Sequence, residues 1–256
     1  MKFLKSMAVM LCALALVSCE KNQIQDLTGV LPRAGIRFFN FGVNAPAVNF
    51  YAGARKLTAI LSATGTESVL GVTYGTVGAG GLYSALDPGP YAFTGKIAAA
   101  TDKDLVISTV NTPLVDGKAY SYYMSGFYDA AAKSVEAFVV EDNFNTAIDF
   151  SVAYVRLVNA ISNSTPMILY AKNTTTLTEV PIGDAIAYKS AGAFIPVPNG
   201  VYDISTRYPG VATNAIARAG VSFSAGKVYT ITSRGDITIT STTATNRPVL
   251  DNTANR

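Results

Sequence analysis

The sequence predicts an all-β protein of two tandem sandwich modules, and three observations predict it. The first is composition: 14 tyrosines, 12 phenylalanines and 21 glycines accompany plentiful β-branched residues, with no convincing helical period in the body of the chain. The second is punctuation. About seven or eight short candidate strands per copy recur at intervals of roughly 8–12 residues, divided by glycine or proline, as in an immunoglobulin-like sandwich. The third is self-similarity, because one set of landmarks occurs twice in the same order.

In chain order, residues 1–18 read as a signal peptide. Lys2 and Lys5 form a positive start, and residues 7–17 are an apolar run of eleven. A membrane-spanning helix needs about 20 residues, whereas a signal-peptide core takes about 7–15. Leu16-Val17-Ser18-Cys19 then resembles the bacterial lipobox. That resemblance implies cleavage before Cys19 and a diacylglycerol on its thiol, each buried CH₂ contributing about 0.8 kcal/mol of membrane affinity. Glu20-Lys21-Asn22 is somewhat like the surface-export signal of Bacteroidetes lipoproteins. The expected location is therefore the cell envelope, lipid-anchored at the outer membrane, on its periplasmic or surface face. Residues 19–34 read as the lipidated tether.

Module 1 is expected at residues 35–142 and module 2 at 150–241. Ile36-Arg37-Phe38-Phe39-Asn40 matches Val155-Arg156-Leu157-Val158-Asn159, and eleven residues after each Asn comes Tyr51-Ala52 or Tyr170-Ala171. Pro88-Gly89-Pro90-Tyr91 matches Pro198-Asn199-Gly200-Val201-Tyr202, and Gly117-Lys118-Ala119-Tyr120 matches Gly226-Lys227-Val228-Tyr229. The segment from Glu141 to Asn145 reads as a linker. Residues 242–256, rich in Thr and Asn, read as a loose tail.

Local patterns refine the strands. Ile36, Phe38 and Phe41 against Arg37 and Asn40 give the partial alternation of a half-buried strand. Tyr120, Tyr122 and Met124 are expected on one face, with Ser121, Tyr123 and Ser125 on the other. Gly117-Lys118 and Gly226-Lys227 read as hairpin turns. The recurring Arg37 and Arg156 are expected to pair locally or to snorkel across a sandwich face. Gly78-Ala79-Gly80-Gly81 lies between strands and reads as a turn or bulge, not as a phosphate loop.

Composition excludes much chemistry. The chain has no histidine and no tryptophan, and of its two cysteines Cys12 leaves with the signal while Cys19 takes the lipid. Serine–histidine and cysteine–histidine catalysis, and imidazole-ligated metals, have no residues to use. Loss of Lys2 and Lys5 lowers the net charge from +3 to +1, so there is no electrostatic footprint for nucleic acid. Paired carboxylates remain as candidates for glycoside hydrolysis, Asp102 with Asp104 and Glu141 with Asp142. Both pairs read as solvated turn or linker residues. Glu141, Asp142, Asn143, Asn145 and Asp149 offer oxygens to calcium without the EF-hand spacing. Tyr120, Tyr122, Tyr123, Phe127 and Tyr128 form a candidate binding surface for a sugar or a partner, in competition with core packing.

The repeat unit resembles the bacterial family called domain of unknown function 4397. Ile36 to Asn40, Asn44-Ala45-Pro46-Ala47-Val48, Gly89-Pro90-Tyr91 and Gly117-Lys118-Ala119-Tyr120 fit its pattern in the first copy. In the second, Ser164-Thr165-Pro166-Met167 replaces the Ala-Pro-Ala motif, and Gly226-Lys227-Val228-Tyr229-Thr230 restores the fit. The resemblance covers most of residues 35–241 and implies an envelope-associated β-rich protein without an assigned activity. The expected function is a non-enzymatic envelope lipoprotein, a tandem binding or structural module that needs no cofactor or metal. Its partner would be a glycan or a protein, besides the membrane. A polymerising pilin-like subunit assembled by strand donation after trimming near Arg33, and a carboxylate-dependent glycan hydrolase, are the competing expectations.

Overall fold

The computed structural model describes residues 34–255 apart from 60–61, 65, 68–69 and 145–147. The signal peptide, Cys19, most of the tether and Arg33 lie outside the described residues, as does Asn145.

Eighteen strands are described, nine in each module, with no α-helix among the described residues. Module 1 comprises β1 (Ala34–Val43), β2 (Val48–Ala52), β3 (Arg55–Lys56), β4 (Thr76–Val77), β5 (Ser84–Leu86), β6 (Gly89–Ile97), β7 (Val106–Leu114), β8 (Ala119–Phe127) and β9 (Ala137–Glu141). Module 2 comprises β10 (Val152–Asn159), β11 (Met167–Asn173), β12 (Glu179–Ile186), β13 (Ser190–Ala191), β14 (Ile195–Pro198), β15 (Gly200–Arg207), β16 (Ile216–Phe223), β17 (Val228–Arg234) and β18 (Val249–Ala254).

The two modules have one topology. In module 1 an inner sheet runs β4-β1-β8-β9, with β5 also on β1, and packs on an outer sheet β3-β2-β6-β7. Module 2 repeats this as β13-β10-β17-β18, with β14 also on β10, over β12-β11-β15-β16. The fold is thus an all-β tandem of sandwiches. In each, the first strand pairs in parallel with the eighth: Arg37 lies opposite Ser121 and Arg156 opposite Thr230.

The landmarks turn out to be polar pins. Asn40 accepts the Gly42 N–H and donates to the carbonyls of Pro46 and Val72. Asn159 likewise accepts the Ile161 N–H and donates to the Ile186 carbonyl and the Ser164 hydroxyl. Each Asn ties the loop after the first strand to the sheet. Tyr91 and Tyr202 donate their hydroxyls to carbonyls four residues upstream, at Asp87 and Pro198. Tyr120 and Tyr229 accept N–H groups five residues upstream, at Val115 and Ser224.

Three expectations need correction. The turns at Gly117 and Gly226, with φ of 74° and 72°, are not hairpins. They carry the chain from β7 to β8 and from β16 to β17, that is, from the outer to the inner sheet. Residues 242–256 are not a loose tail: β18 pairs along β17 from Tyr229 to Arg234, and Leu250 is buried in the core of module 2. Module 2 therefore reaches residue 255. Finally, β1 is not half-buried. Ile36 and Phe38 enter the core of module 1, while Phe39 and Phe41 enter a separate apolar cluster on the opposite face. Two buried faces explain why the alternation was only partial.

Candidate functional site

The second buried face of β1 belongs to the seam between the modules. Inner sheet meets inner sheet, so Phe39, Phe41, Tyr123, Phe138 and Val140 of module 1 cluster with Val158 and Ala160 of module 2. Phe39 stacks on Tyr123 at 4.6 Å between centroids, and Tyr123 on Phe138 at 5.2 Å. Tyr188 of module 2 crosses to Phe138, and its hydroxyl donates to Glu136 at 2.8 Å. In return, Arg234 of module 2 lies over the rings of Phe41 and Tyr74 of module 1.

Beside this cluster lie Arg37, Arg156 and Asp142, the charged side chains buried among the described residues. Arg37 Nε donates to Ser121 Oγ at 2.9 Å, and Nη1 to the carbonyl of Ala254 in the other module at 2.9 Å. Arg156 Nε donates to Thr230 Oγ1 at 3.1 Å, and Nη1 to the carbonyl of Glu141 in the other module at 2.9 Å. Each guanidinium also lies over a ring of its own module, Arg37 over Tyr83 at 4.8 Å and Arg156 over Phe194 at 4.4 Å. The contacts are reciprocal, as in a twofold interface.

The reciprocity fails at two pairs of positions, Asp142 against Asn255 and Tyr83 against Phe194. Asp142 directly follows β9 and Asn255 directly follows β18, and each accepts from its module's hydroxyl, Ser121 at 2.7 Å or Thr230 at 2.8 Å. Asp142 also takes Nη2 of Arg156 and the Tyr83 hydroxyl, the latter at 2.5 Å. Asn255 instead donates its amide to Tyr83 Oη at 3.1 Å. Arg37 Nη2 is left buried without a partner among the described residues. Burial, then the neighbouring Asp142 carboxylate, pushes the Tyr83 phenol well above its ordinary value and keeps it a proton donor.

The sequence-predicted sites fare differently. Tyr120 and Tyr122 are in the core of module 1 and Tyr123 is in the seam, whereas Phe127 is 43 % exposed and Tyr128 half-buried. The five do not share a surface, because successive residues of β8 point to opposite faces and both faces are covered. The face assignment of Tyr120, Tyr122 and Met124 against Tyr123 agrees with the clusters they join. Asp102 and Asp104 sit in a left-handed turn at φ of 56° and 63°, with Asp102 paired to Lys133 at 2.6 Å. Glu141 pairs with Lys118 at 2.6 Å, while Asp142 is 3 % exposed and not a solvated linker residue. Among the described residues no cluster of acidic, cysteine or histidine side chains suits a metal ion.

Sequence reasoning named Arg37 and Arg156 but not their setting. They neither pair only locally nor snorkel. It missed Tyr83, Phe194 and Asn255, and gave Ser121 and Thr230 no part in the site. The one legible signal was that Arg37 and Arg156 recur on strands that are otherwise mostly apolar, where an unpaired charge is costly.

Two further features adjoin or flank this site. A pocket of about 400 Å³ opens beside the seam, lined by Phe144, Ile148, Tyr154 and Phe194 with Glu141 and Arg156. On the outer sheets, Lys96 Nζ lies 4.4 Å from the ring centre of Tyr51, and the guanidinium of Arg207 lies 4.4 Å from that of Tyr170. These are equivalent positions in the two copies, so the second landmark tyrosine marks a repeated cation–π pair. Comparison with known families and with curated proteins found no match to this chain.

Proposed function

We propose that this protein is a non-enzymatic envelope lipoprotein, anchored through Cys19, that carries a rigid two-module body for binding or structural support. The observation that carries this reading is where the buried charge goes: Arg37, Arg156 and Asp142 all hold the modules together. Catalytic sites usually keep buried charged groups aimed at a cleft with perturbed acidity. Here they are tied to each other and to backbone carbonyls. Docking the inner sheets turns both outer sheets away from the seam, which suits them to meet a glycan or protein partner. The N-terminal lipobox resemblance supplies the location, and the resemblance to domain of unknown function 4397 agrees with it.

The test is fractionation with lipid labelling. The wild-type chain should incorporate labelled palmitate and sediment with membranes, and Cys19→Ala should do neither; a Cys19→Ala protein that stays membrane-bound would overturn the anchor. Protease treatment of intact cells then separates surface from periplasmic exposure. Turnover of a polysaccharide that is lost in Asp102→Asn/Asp104→Asn would overturn the non-enzymatic reading.

A further inference from the structure

We propose that module 2 carries an anion site at its β16–β18 edge, which takes the phosphate group of a phosphorylated sugar. The inference rests on the binding role proposed above and names its ligand. Three guanidiniums, of Arg218 on β16, Arg234 on β17 and Arg247 in the β17–β18 connection, line one cavity of about 460 Å³ together with Asp251 of β18. Each is fixed by a bond to the protein. Arg234 is paired with Asp251, Arg218 Nη1 donates to the Leu250 carbonyl at 2.8 Å, and Arg247 Nη1 donates to the Ala244 carbonyl at 3.1 Å. Arg218 and Arg247 have no acidic partner among the described residues, and Nε and Nη2 of each have no bond there. Asp203 shares a neighbouring groove with Arg218, but accepts the Gly220 N–H at 3.0 Å instead.

The repeat does not require these two charges. Where Arg218 stands opposite Ile204, module 1 has Val110 opposite Phe93, packed against its core. Residues 235–248, which bring Arg247, form a longer connection than residues 128–136 between β8 and β9, where Lys133 is paired with Asp102. The site thus belongs to one copy, added to a shared frame at a strand edge and a loop, where binding residues are commonly carried. Charge and size select the ligand. With Arg234 balanced by Asp251, two positive charges are left. They match a phosphate monoester, about −2 at neutral pH, whereas a carboxylate offers one charge. Guanidinium N–H pairs hold phosphate oxygens two at a time. The cavity falls in the range of about 300–1,000 Å³ that takes a small organic molecule, more than an inorganic ion fills, so the phosphate arrives on a sugar of the glycan partner.

The experiment titrates the full soluble chain (Cys19→Ala) calorimetrically at low salt with glucose 6-phosphate, glucose and glucuronate. Glucose 6-phosphate should bind one to one, weaken as salt is added and bind more tightly than glucuronate, while glucose does not bind. Arg218→Gln combined with Arg247→Gln should weaken it about tenfold or more. Arg207→Gln, which breaks a pair with Glu179 on the outer sheet, should leave it unchanged. No saturable binding by the starting chain, equal binding of glucuronate, or an affinity that survives the double variant overturns the proposal. Should the double variant melt early, Arg247→Gln alone is read, because its one bond stays within its own loop, and it should still weaken binding. Phosphatidylcholine vesicles with and without a phosphorylated glycolipid then separate the sources. Cosedimentation with the phosphorylated vesicles marks a lipid headgroup, and binding of the free sugar phosphate alone marks a soluble ligand. The anchor is tested through Cys19 and this site through two arginines, so the failure of one reading leaves the other standing.

Discussion

Module 1 and module 2 share nine strands in one order, yet their cores are made of different material. Around Phe38, module 1 packs Phe50, Phe93 and Tyr122 into mutual ring contacts of 5.1–5.9 Å. The equivalent positions in module 2 are Leu157, Leu169, Ile204 and Ile231, all within one aliphatic cluster. Four aromatic residues correspond to four aliphatic ones without a change of topology. The polar pins are what stay constant: Asn40 with Asn159, Tyr91 with Tyr202, Tyr120 with Tyr229. A core tolerates exchange of apolar side chains while volume is rebalanced. A buried loop carbonyl cannot go without its donor. The repeat preserves what lacks a substitute.

The sharpest way to break the comparison is at the one buried charged position, among the described residues, that the modules do not share. Asp142→Asn leaves two buried guanidiniums without a carboxylate and should cost about 3–5 kcal/mol in urea unfolding. Asn255→Asp added to it should recover much of that loss, because it moves the carboxylate to the matching place in the other module. No recovery would show that the two ends of the seam are not interchangeable.

A second test contrasts the arginines. Arg156→Met strips Asp142 of its shortest ion pair and should cost about 2–3 kcal/mol, whereas Arg37→Met removes the longer pair with Asp142 at 3.8 Å together with an orphaned donor and should cost less, about 1–2 kcal/mol. Equal losses would contradict the asymmetry. Third, Asn40→Ala and Asn159→Ala should each cost about 1–3 kcal/mol, since each removes one acceptor and one donor pair from a buried loop. A loss confined to one module would mean that the shared pin is not equally used.

The smallest effect is on pH. A hydrogen bond from Tyr188 holds the Glu136 carboxyl below its ordinary value of 4.5, with Lys189 adding to it. A folded value below the unfolded one means that the contribution is present above the ordinary carboxyl range and fades as pH falls through the folded value. Acid titration of stability should therefore be shallower at its low end in Glu136→Gln than in wild type.

How much of this was legible can be read from particular residues. Gly117 and Gly226 gave the turns and Tyr120 to Ser125 gave the faces of β8, because left-handed turns and a period of two are local properties of the chain. The duplication showed itself because Asn40, Tyr91 and Tyr120 act within a few residues of themselves. Strand β18 was hidden because Leu250 is its one fully buried side chain, and a single core residue among Asp251, Asn252 and Thr253 reads like a tail. By itself, then, the sequence determined the all-β class, the two copies and the chemistries lacking histidine. Only the tertiary structure decided that Arg37, Arg156 and Asp142 meet, since their meeting joins β1 and β10 to strand ends far along the chain. Nothing local to an arginine tells whether water or a second sheet will cover it. That is settled when two inner faces, each unable to remain solvated without exposing Phe39, Tyr123 and Val158, find one another.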